Sequence, residues 1–179
     1  MLLSSDVPAI TARLPEPELV RAAQAGDRAA FGRLYQQFAR MVHGILLAHV
    51  CYSDAEDLLQ DVFVKAMQQI GGLRETNAVG GWLAAIARRA AFDHLRRSNR
   101  LESLPDGIAG GASPEGEAFQ VLAAIRNLPE SYRETLALRL VEGMSGPEIA
   151  VRTGLTEASV RVNLCRGMKL LRERLERPA

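Results

Sequence analysis

The chain has 179 residues, of which 47% are hydrophobic and 24% are charged, and its formal net charge at pH 7 is +1. This composition is typical of a folded protein, and the length allows one ordinary domain or two small ones. The sequence holds no apolar run near the roughly 20 residues that span a bilayer, and its start lacks the basic region and apolar core of a signal peptide, so we expect a cytoplasmic protein without membrane insertion.

The cysteines and histidines predict neither a disulfide framework nor a metal site. Cys51 and Cys165 lie far apart in the sequence, and two cysteines are too few for a framework. His43, His49 and Cys51 form the closest group, but their spacing matches no zinc motif. We therefore expect buried or idle thiols, no metal and no cofactor.

Apolar residues recur at helical spacing along almost the whole chain, which predicts an all-α fold. Residues 1–13 carry no apolar stripe, and we expect them to be disordered. A short helix is predicted from about Pro15 to about Gly26, because proline and acids suit a first turn. Three longer stripes follow, and each can bury one face against the others. The stripes consist of Phe31, Leu34, Tyr35, Phe38, Met41, Val42 and Ile45; of Leu58, Leu59, Val62, Phe63, Ala66 and Ile70; and of Leu83, Ile86, Ala87, Ala90 and Leu95.

The second of these helices is predicted to begin near residue 54 and to carry an acidic edge. The segment Ser53–Glu56 matches a capping box, in which the serine and the glutamate each bind the other's backbone amide. Acids in the first turn are partly explained by the helix dipole. Asp61 lies beyond that turn, however, so an acidic edge remains that can dock a basic or polar partner.

The third helix, from Trp82 to Arg100, is basic on the side opposite its apolar stripe. Such a face can follow phosphates, and Trp82 at its start offers a stacking surface for an unpaired base. The alternatives are that Trp82 is a core residue and that the arginines are merely solvated. The charged side consists of Arg89, Asp93, Arg96, Arg97 and Arg100.

Glycine, proline and unpaired acids then interrupt the helical pattern at 101–116, which predicts a flexible acidic linker. The fold class expected is therefore all-α, with two small helical domains at 14–100 and 117–177. A helix is predicted to start near Pro129 and to end at Gly143.

The second domain is predicted to contain a helix-turn-helix. The segment Ser145–Glu148 is a capping box that opens a short helix ending at Gly154, and Thr156 caps the last helix. This order of helix, turn and helix is typical of proteins that place the second helix in the major groove. Arginine can pair with guanine, asparagine with adenine, and a valine methyl can touch thymine. A solvated basic face is the alternative. The candidate residues for base contact are Arg161, Val162, Asn163 and Arg166.

Taken together, these blocks resemble the extracytoplasmic-function (ECF) sigma factors of bacterial RNA polymerase. Residues 54–66 and 82–97 resemble the first conserved domain of that family, and 128–150 carries the blocks that resemble the second. The resemblance covers about residues 16–175, in the family's order and spacing. It implies a transcription initiation factor, not an enzyme, that binds core RNA polymerase at its clamp helices and flap and directs it to promoter DNA.

The resemblance also implies a role for each surface. The family's acidic helix docks on the polymerase clamp helices, which here corresponds to Asp54, Asp57, Gln60 and Asp61. Its basic helix and the loop before it, residues 73–81 here, recognise and melt the minus-ten element. The corresponding residues are Lys65 of the preceding helix and Trp82, Arg88 and Arg89, with Arg96 and Arg97 on phosphates. The family's helix-turn-helix reads the minus-thirty-five element, which here corresponds to Arg161, Val162, Asn163 and Arg166. In this family the linker threads into polymerase channels, and an anti-sigma factor is an expected further partner.

A second hypothesis is a conventional helix-turn-helix repressor or activator that needs no polymerase and dimerises to read two half-sites. An enzyme is not expected, because the sequence holds no nucleophile motif, phosphate-binding loop or metal cluster.

Overall fold

The computed structural model describes residues 16–101 and 114–176, and within them the secondary structure is helical throughout, with no strand. The predicted all-α fold is confirmed. Short 3-10 turns at Ile70–Gly72 and Thr76–Ala78 connect the third helix to the fourth. The α-helices are α1 Glu16–Gln24, α2 Arg28–Leu47, α3 Tyr52–Gln69, α4 Val79–Leu101, α5 Pro114–Arg126, α6 Glu130–Leu140, α7 Gly146–Thr153 and α8 Glu157–Glu176.

Helices α1 to α4 form the N-terminal unit, and the predicted stripes line its core. Most members of the first stripe are fully buried, since helix spacing of three and four places them on one face. Tyr35 differs, because it is 40% exposed and makes an edge-on contact with the ring of Phe63 at 4.6 Å between centroids. The buried members of this stripe are Leu34, Phe38, Met41, Val42 and Ile45.

The start of α3 corrects one prediction. The helix begins at Tyr52, with Cys51 as the N-cap residue in extended conformation, and no side chain caps it. The predicted capping box at Ser53 therefore does not form. The amide of Ala55 donates to the carbonyl oxygen of Cys51 at 2.9 Å. Tyr52 is placed by edge-on contacts with His43 and Phe119, so tertiary packing starts the helix before the serine.

Helices α5 to α8 form the C-terminal unit, and its predicted caps are present. Ser145 donates its amide to Glu148 Oε2 at 2.7 Å, and Glu148 donates its amide to Ser145 Oγ at 3.3 Å, which completes the capping box. Gly154 ends α7 in the left-handed region with φ +76°, where a side chain would be strained. Thr156 Oγ1 accepts the amide of Ser159 at 3.1 Å and caps α8.

The two units pack directly against each other. Helix α6 lies on α2, and α7 lies on α4 and α2. Leu138, Ile149 and Val160 of the C-terminal unit belong to the same buried cluster as the core of α1 to α4. A smaller core of Ile125, Leu128, Leu136 and Leu171 belongs to the C-terminal unit alone.

The predicted disordered segment 1–13 and most of the predicted linker lie outside the described residues. At the ends of that linker, residue 101 is the last of α4 and residues 114–116 form the start of α5. Pro114 suits this place, because the first position of a helix needs no amide donor.

Candidate nucleic-acid interface

An acidic face runs along α3. Asp57, Gln60 and Asp61 are all exposed, and their spacing of three and four residues keeps them on one side of the helix. Asp54 is different, because its Oδ2 lies 3.1 Å from His94 Nε2 and accepts the Cys51 thiol at 3.0 Å. The structure therefore leaves three of the four predicted docking side chains accessible and ties the fourth to α4.

A surface hollow of 470 Å³ lies beside this acidic face. Asp57 and Gln60 form one wall, and Tyr35 and His43 of α2 form another. The remaining wall includes Glu142, which follows α6 in the C-terminal unit. Glu142 was missing from the sequence-based prediction, since nothing in the sequence shows which distant residue reaches this surface.

A basic patch forms across α3 and α4. Arg89 and Arg96 are exposed, and Lys65 of α3 is half-buried. Asp93 pairs with Arg96 at a spacing of three residues. The hydrogen bond from Arg96 lowers the pKa of Asp93 below its usual range, and the charges of Arg89 and Lys65 lower it further. Arg89, Arg96 and Lys65 thus all act on one carboxylate between α3 and α4, and we treat them as one basic patch; Arg97 is also exposed.

The start of α4 places Trp82 beside the N-terminal core. Trp82 is half-buried and packs against the buried cluster, so it makes a core contact while part of its surface stays accessible. Val79, the first residue of α4, is 1% exposed and is closed to DNA, whereas Arg74 and Asn77 in the connection before α4 are exposed. These two polar side chains were not singled out in the sequence.

Arg88 does not join the basic patch. Its Nε donates to Glu134 Oε1 and its Nη2 donates to Glu134 Oε2, both at 2.7 Å. The same carboxylate lies 3.3 Å from His49 Nε2. The hydrogen bond with Glu134 raises the pKa of Arg88. Burial acts to raise the pKa of Glu134, but the hydrogen bonds from His49 and Arg88 outweigh it, and the pKa lies below its ordinary value.

The helix-turn-helix of α7 and α8 presents the predicted reading residues. Arg161, Val162 and Arg166 are exposed in the first three turns of α8, and Asn163 is half-buried. Val160 is 1% exposed and anchors the opposite side of the helix in the core. A helix whose amino-terminal part is exposed on one side and buried in the core on the other can enter the major groove.

The described part of the chain shows neither a candidate metal site nor a helix that could span a membrane. Residues 16–101 and 114–176 hold no group of three or more histidine, cysteine or acidic side chains placed to bind a metal ion. Cys51 and Cys165 are free and exposed, so of the expected buried or idle thiols the buried alternative is wrong. None of the helices in these residues has the length and apolar character needed to cross a membrane.

Comparison with known proteins identifies both units. Residues 34–101 match the family model of sigma-70 region 2, and residues 118–171 match that of sigma-70 region 4. Fold and site thus define a sigma-70-type protein, with a region 2 built by α2 to α4 and a region 4 built by α5 to α8.

Three curated relatives narrow the family. The ECF RNA polymerase sigma factor BldN of Streptomyces coelicolor is 33% identical over 86% of this chain, which spans 63% of that relative's length. The ECF RNA polymerase sigma factor SigM of Mycobacterium tuberculosis is 30% identical over 84% of this chain and 80% of its own. The ECF RNA polymerase sigma-E factor of Haemophilus influenzae is 28% identical over 92% of this chain and 97% of its own length. The chain belongs to the ECF sigma factors.

Solved structures share the fold. CnrH, solved in complex with the cytosolic domain of CnrY, superposes with a TM-score of 0.62 at 24% identity, over 92% of this chain and 99% of its own. The sigma factor RpoE of Bartonella quintana, solved with the anti-sigma factor NepR, superposes with a TM-score of 0.57 at 20% identity, over 83% of this chain and 98% of its own. As a member of this family, the chain is an RNA polymerase-associated initiation factor that directs the polymerase to promoters. The hypothesis of an independent repressor is not favoured.

Proposed function

We propose that the chain performs this role through three separate surfaces. The acidic face of α3 docks on core polymerase, the basic patch of α3 and α4 with Trp82 engages the minus-ten element, and the start of α8 reads the minus-thirty-five element. One observation carries the proposal: the acidic face and the basic patch lie on helices α3 and α4, which pack against each other in one unit, so docking fixes where the DNA-binding patch stands relative to the polymerase.

The docking surface consists of Asp57, Gln60 and Asp61, which are exposed on one side of α3. Two carboxylates on a helix face favour a basic partner surface and raise the rate of encounter. Asp54 supports this face without forming it, because its carboxylate is bonded to His94 and Cys51. We propose that it holds α3 against α4.

Charge reversal tests the docking surface. The double variant Asp57→Arg with Asp61→Arg should lose co-elution with core polymerase while its helical circular dichroism stays unchanged, because both side chains are exposed. Glu18→Arg on α1 is a matched control, since Glu18 is also an exposed acid and lies outside the face. If the double variant still co-elutes, α3 is not the docking helix.

The minus-ten surface joins phosphate contacts to base stacking. Lys65, Arg89 and Arg96, with Arg97 nearby, supply positive charge that follows the backbone, and the half-buried indole of Trp82 can stack on a base freed from the duplex. Arg88 donates two hydrogen bonds to Glu134 of α6. We propose that it reaches DNA only when α6 moves away.

The minus-thirty-five surface consists of Arg161, Val162 and Arg166, with Asn163 at its edge. A bidentate pair between an arginine and guanine discriminates against a wrong base by about 1–3 kcal/mol. Arg161 and Arg166 lie on the exposed amino-terminal turns of α8, and these turns enter the major groove first.

We also propose an anti-sigma factor as a regulatory partner and the cytoplasm as the site of action. Support for the partner comes from RpoE of Bartonella quintana, which was solved with the anti-sigma factor NepR. The cytoplasm follows from the polymerase that the chain serves. Affinity capture with the purified chain from its own cells, with and without excess core polymerase, tests the partner: a protein displaced by polymerase supports it, and recovery of polymerase alone contradicts it.

A further inference from the structure

Helix α1 lies beside the connection between α3 and α4, which consists of residues 70–78. The family model of sigma-70 region 2 matches residues 34–101, so α1 stands outside the matched part of the chain. It is nevertheless part of the N-terminal core, because Leu19 is 1% exposed and Val20 is 0% exposed. Helix α1 also packs against both 3-10 turns of the connection. A helix anchored in this way can hold the connection in place.

One side chain of α1 binds the connection directly. Nε2 of Gln24 donates to the carbonyl oxygen of Ile70 at 2.9 Å and to that of Leu73 at 2.7 Å. A side-chain amide has two N–H donors, so both are used here. An amide turned the other way would set its oxygen against two acceptors, and the contact therefore requires the donating orientation. These carbonyls follow the end of α3, where a helix leaves its last acceptors without an internal partner, and Gln24 supplies donors to them from outside.

The two acceptors enclose a pair of glycines. Gly71 and Gly72 are both exposed, and a Cβ added at either would meet nothing within 4 Å. Neither has a positive φ, so neither close packing nor the backbone conformation requires glycine here. Two successive glycines do give the chain more conformational freedom than any other residues would. Gln24 therefore braces the connection across the point where its backbone is least restricted.

The braced segment leads directly to the exposed side chains of the connection. Leu73 is half-buried and packs against the N-terminal core, and Val79 at the start of α4 is 1% exposed. Arg74 and Asn77 lie between these two anchored residues, and both are exposed. A shift of Leu73 would therefore move Arg74 relative to Trp82 and the start of α4.

We propose that Gln24 is a positioning residue for recognition of the minus-ten element: by bracing the connection at Ile70 and Leu73, it fixes where Arg74 and Asn77 stand when DNA reaches the start of α4. Its effect falls on the discrimination among minus-ten sequences, because contacts to base edges carry sequence information and contacts to phosphates do not. This inference rests on the proposed function, since the placement of the connection matters only if this part of the N-terminal unit engages the minus-ten element.

Hydrogen exchange measures the brace without reference to activity. Gln24→Leu removes both donors at similar side-chain volume, and the hydrogen-bonded amides of Leu73 and Ala78 should then exchange about tenfold faster, because the connection opens more often. Gln24→Lys should stay close to the wild-type rate, since an ammonium group also has donors for two carbonyls. Gln36→Leu is the matched control, because it makes the same substitution at an exposed glutamine of α2; it should leave both amides unchanged.

Base preference provides the second readout. Complexes of core polymerase with each variant are compared by run-off transcription on promoters that differ by single base pairs in the minus-ten element. A good base contact discriminates by about tenfold or more, and Gln24→Leu should reduce this ratio about threefold to tenfold, whereas Gln24→Lys should keep it. Affinity for core polymerase should be unchanged, because Asp61, the last residue of the docking face, lies about two turns before the end of α3. A loss of stability alone would lower transcription on every promoter alike.

Gly71→Ala with Gly72→Ala acts on the same feature through different physics. Alanine fits at both positions, because the added Cβ meets open space and neither φ is positive, and it restricts the backbone. In the wild-type background this pair should leave base preference unchanged. In the Gln24→Leu background it should restore part of the lost preference. Such a recovery is a coupling between Gln24 and the glycine pair, which two independent effects on stability would not produce.

The outcomes separate this inference from the proposed function. The inference is overturned if Gln24→Leu keeps the wild-type base preference, if it lowers transcription equally on all promoters, or if Gln24→Lys loses the preference as fully as Gln24→Leu does. In each of these cases the wild-type complex still selects among minus-ten sequences, and the proposed function stands. A wild-type complex that ignores the minus-ten sequence would instead refute the proposed function and the inference with it, so the two failures are distinguishable.

Discussion

Leu138→Ala should destabilise the N-terminal unit although Leu138 belongs to the other one. Leu138 is 0% exposed on α6, and its Cδ2 lies against Gly44 of α2. Truncating a buried leucine to alanine costs about 2–5 kcal/mol, because the methyl groups lose their burial and a cavity remains. Since Leu138 of α6 packs against α2, the loss of stability falls on both units.

Urea unfolding followed by tryptophan fluorescence reports this effect on one unit. The chain has one tryptophan, Trp82, which packs against the core of the N-terminal unit. A loss of about 3 kcal/mol, divided by a denaturant slope of about 2 kcal/mol per M, moves the midpoint by about 1.5 M urea. Leu140→Ala is the matched control, because Leu140 lies on the same helix and is 42% exposed; it should cost less than about 0.5 kcal/mol.

The result that refutes this reasoning is specific. If Leu138→Ala lowers the stability of total helical structure by circular dichroism but leaves the Trp82 transition where it was, the two units unfold independently and their contact adds nothing to the N-terminal core.

Three further predictions follow from caps, charge and base reading. Ser145→Ala should cost about 0.5–2 kcal/mol in urea unfolding because its capping box is formed, whereas Ser53→Ala should cost much less because its box is absent. The pKa of Glu134 is lower in the folded protein than its unfolded value of about 4.3, so its stabilisation is full above that pH and is lost as the pH falls through the lowered pKa; Glu134→Gln should therefore reduce the loss of stability on acidification, and an unchanged pH profile would contradict the pairing. Arg166→Ala should weaken binding of polymerase complexes to a minus-thirty-five element by about 1–3 kcal/mol and relax base preference if it pairs with a base, or reduce the salt dependence if it contacts phosphate; a gel-shift series in salt that shows neither effect would move the reading surface elsewhere on α8.

Local rules predicted the features that depend on a few neighbouring residues. The capping box at Ser145, the left-handed Gly154 and the cap at Thr156 are all present, because each needs only atoms within about four positions. The same rule failed at Ser53. There the ring of Tyr52 packs against His43 and Phe119, and this tertiary contact extends the helix past the local signal.

The contact between the two units could not be predicted from the sequence. Glu134 and Glu142 have the appearance of ordinary solvated acids on a helix, and their partners lie 46 and 99 positions away at Arg88 and His43. Nothing in the sequence marks Gly80 as the place where α7 approaches, although an added Cβ there would overlap the Arg152 carbonyl oxygen. Such pairings depend on which faces of two helical units meet, and periodicity within one helix carries no information about that.

Run-off transcription tests the central claim most directly. Purified core RNA polymerase is incubated with a library of promoter fragments, with and without the chain, and start sites are mapped. We predict start sites that appear only with the chain and that share two elements at a fixed spacing upstream. The absence of any dependent transcript, together with failure of the chain to co-elute with core polymerase, would contradict the account.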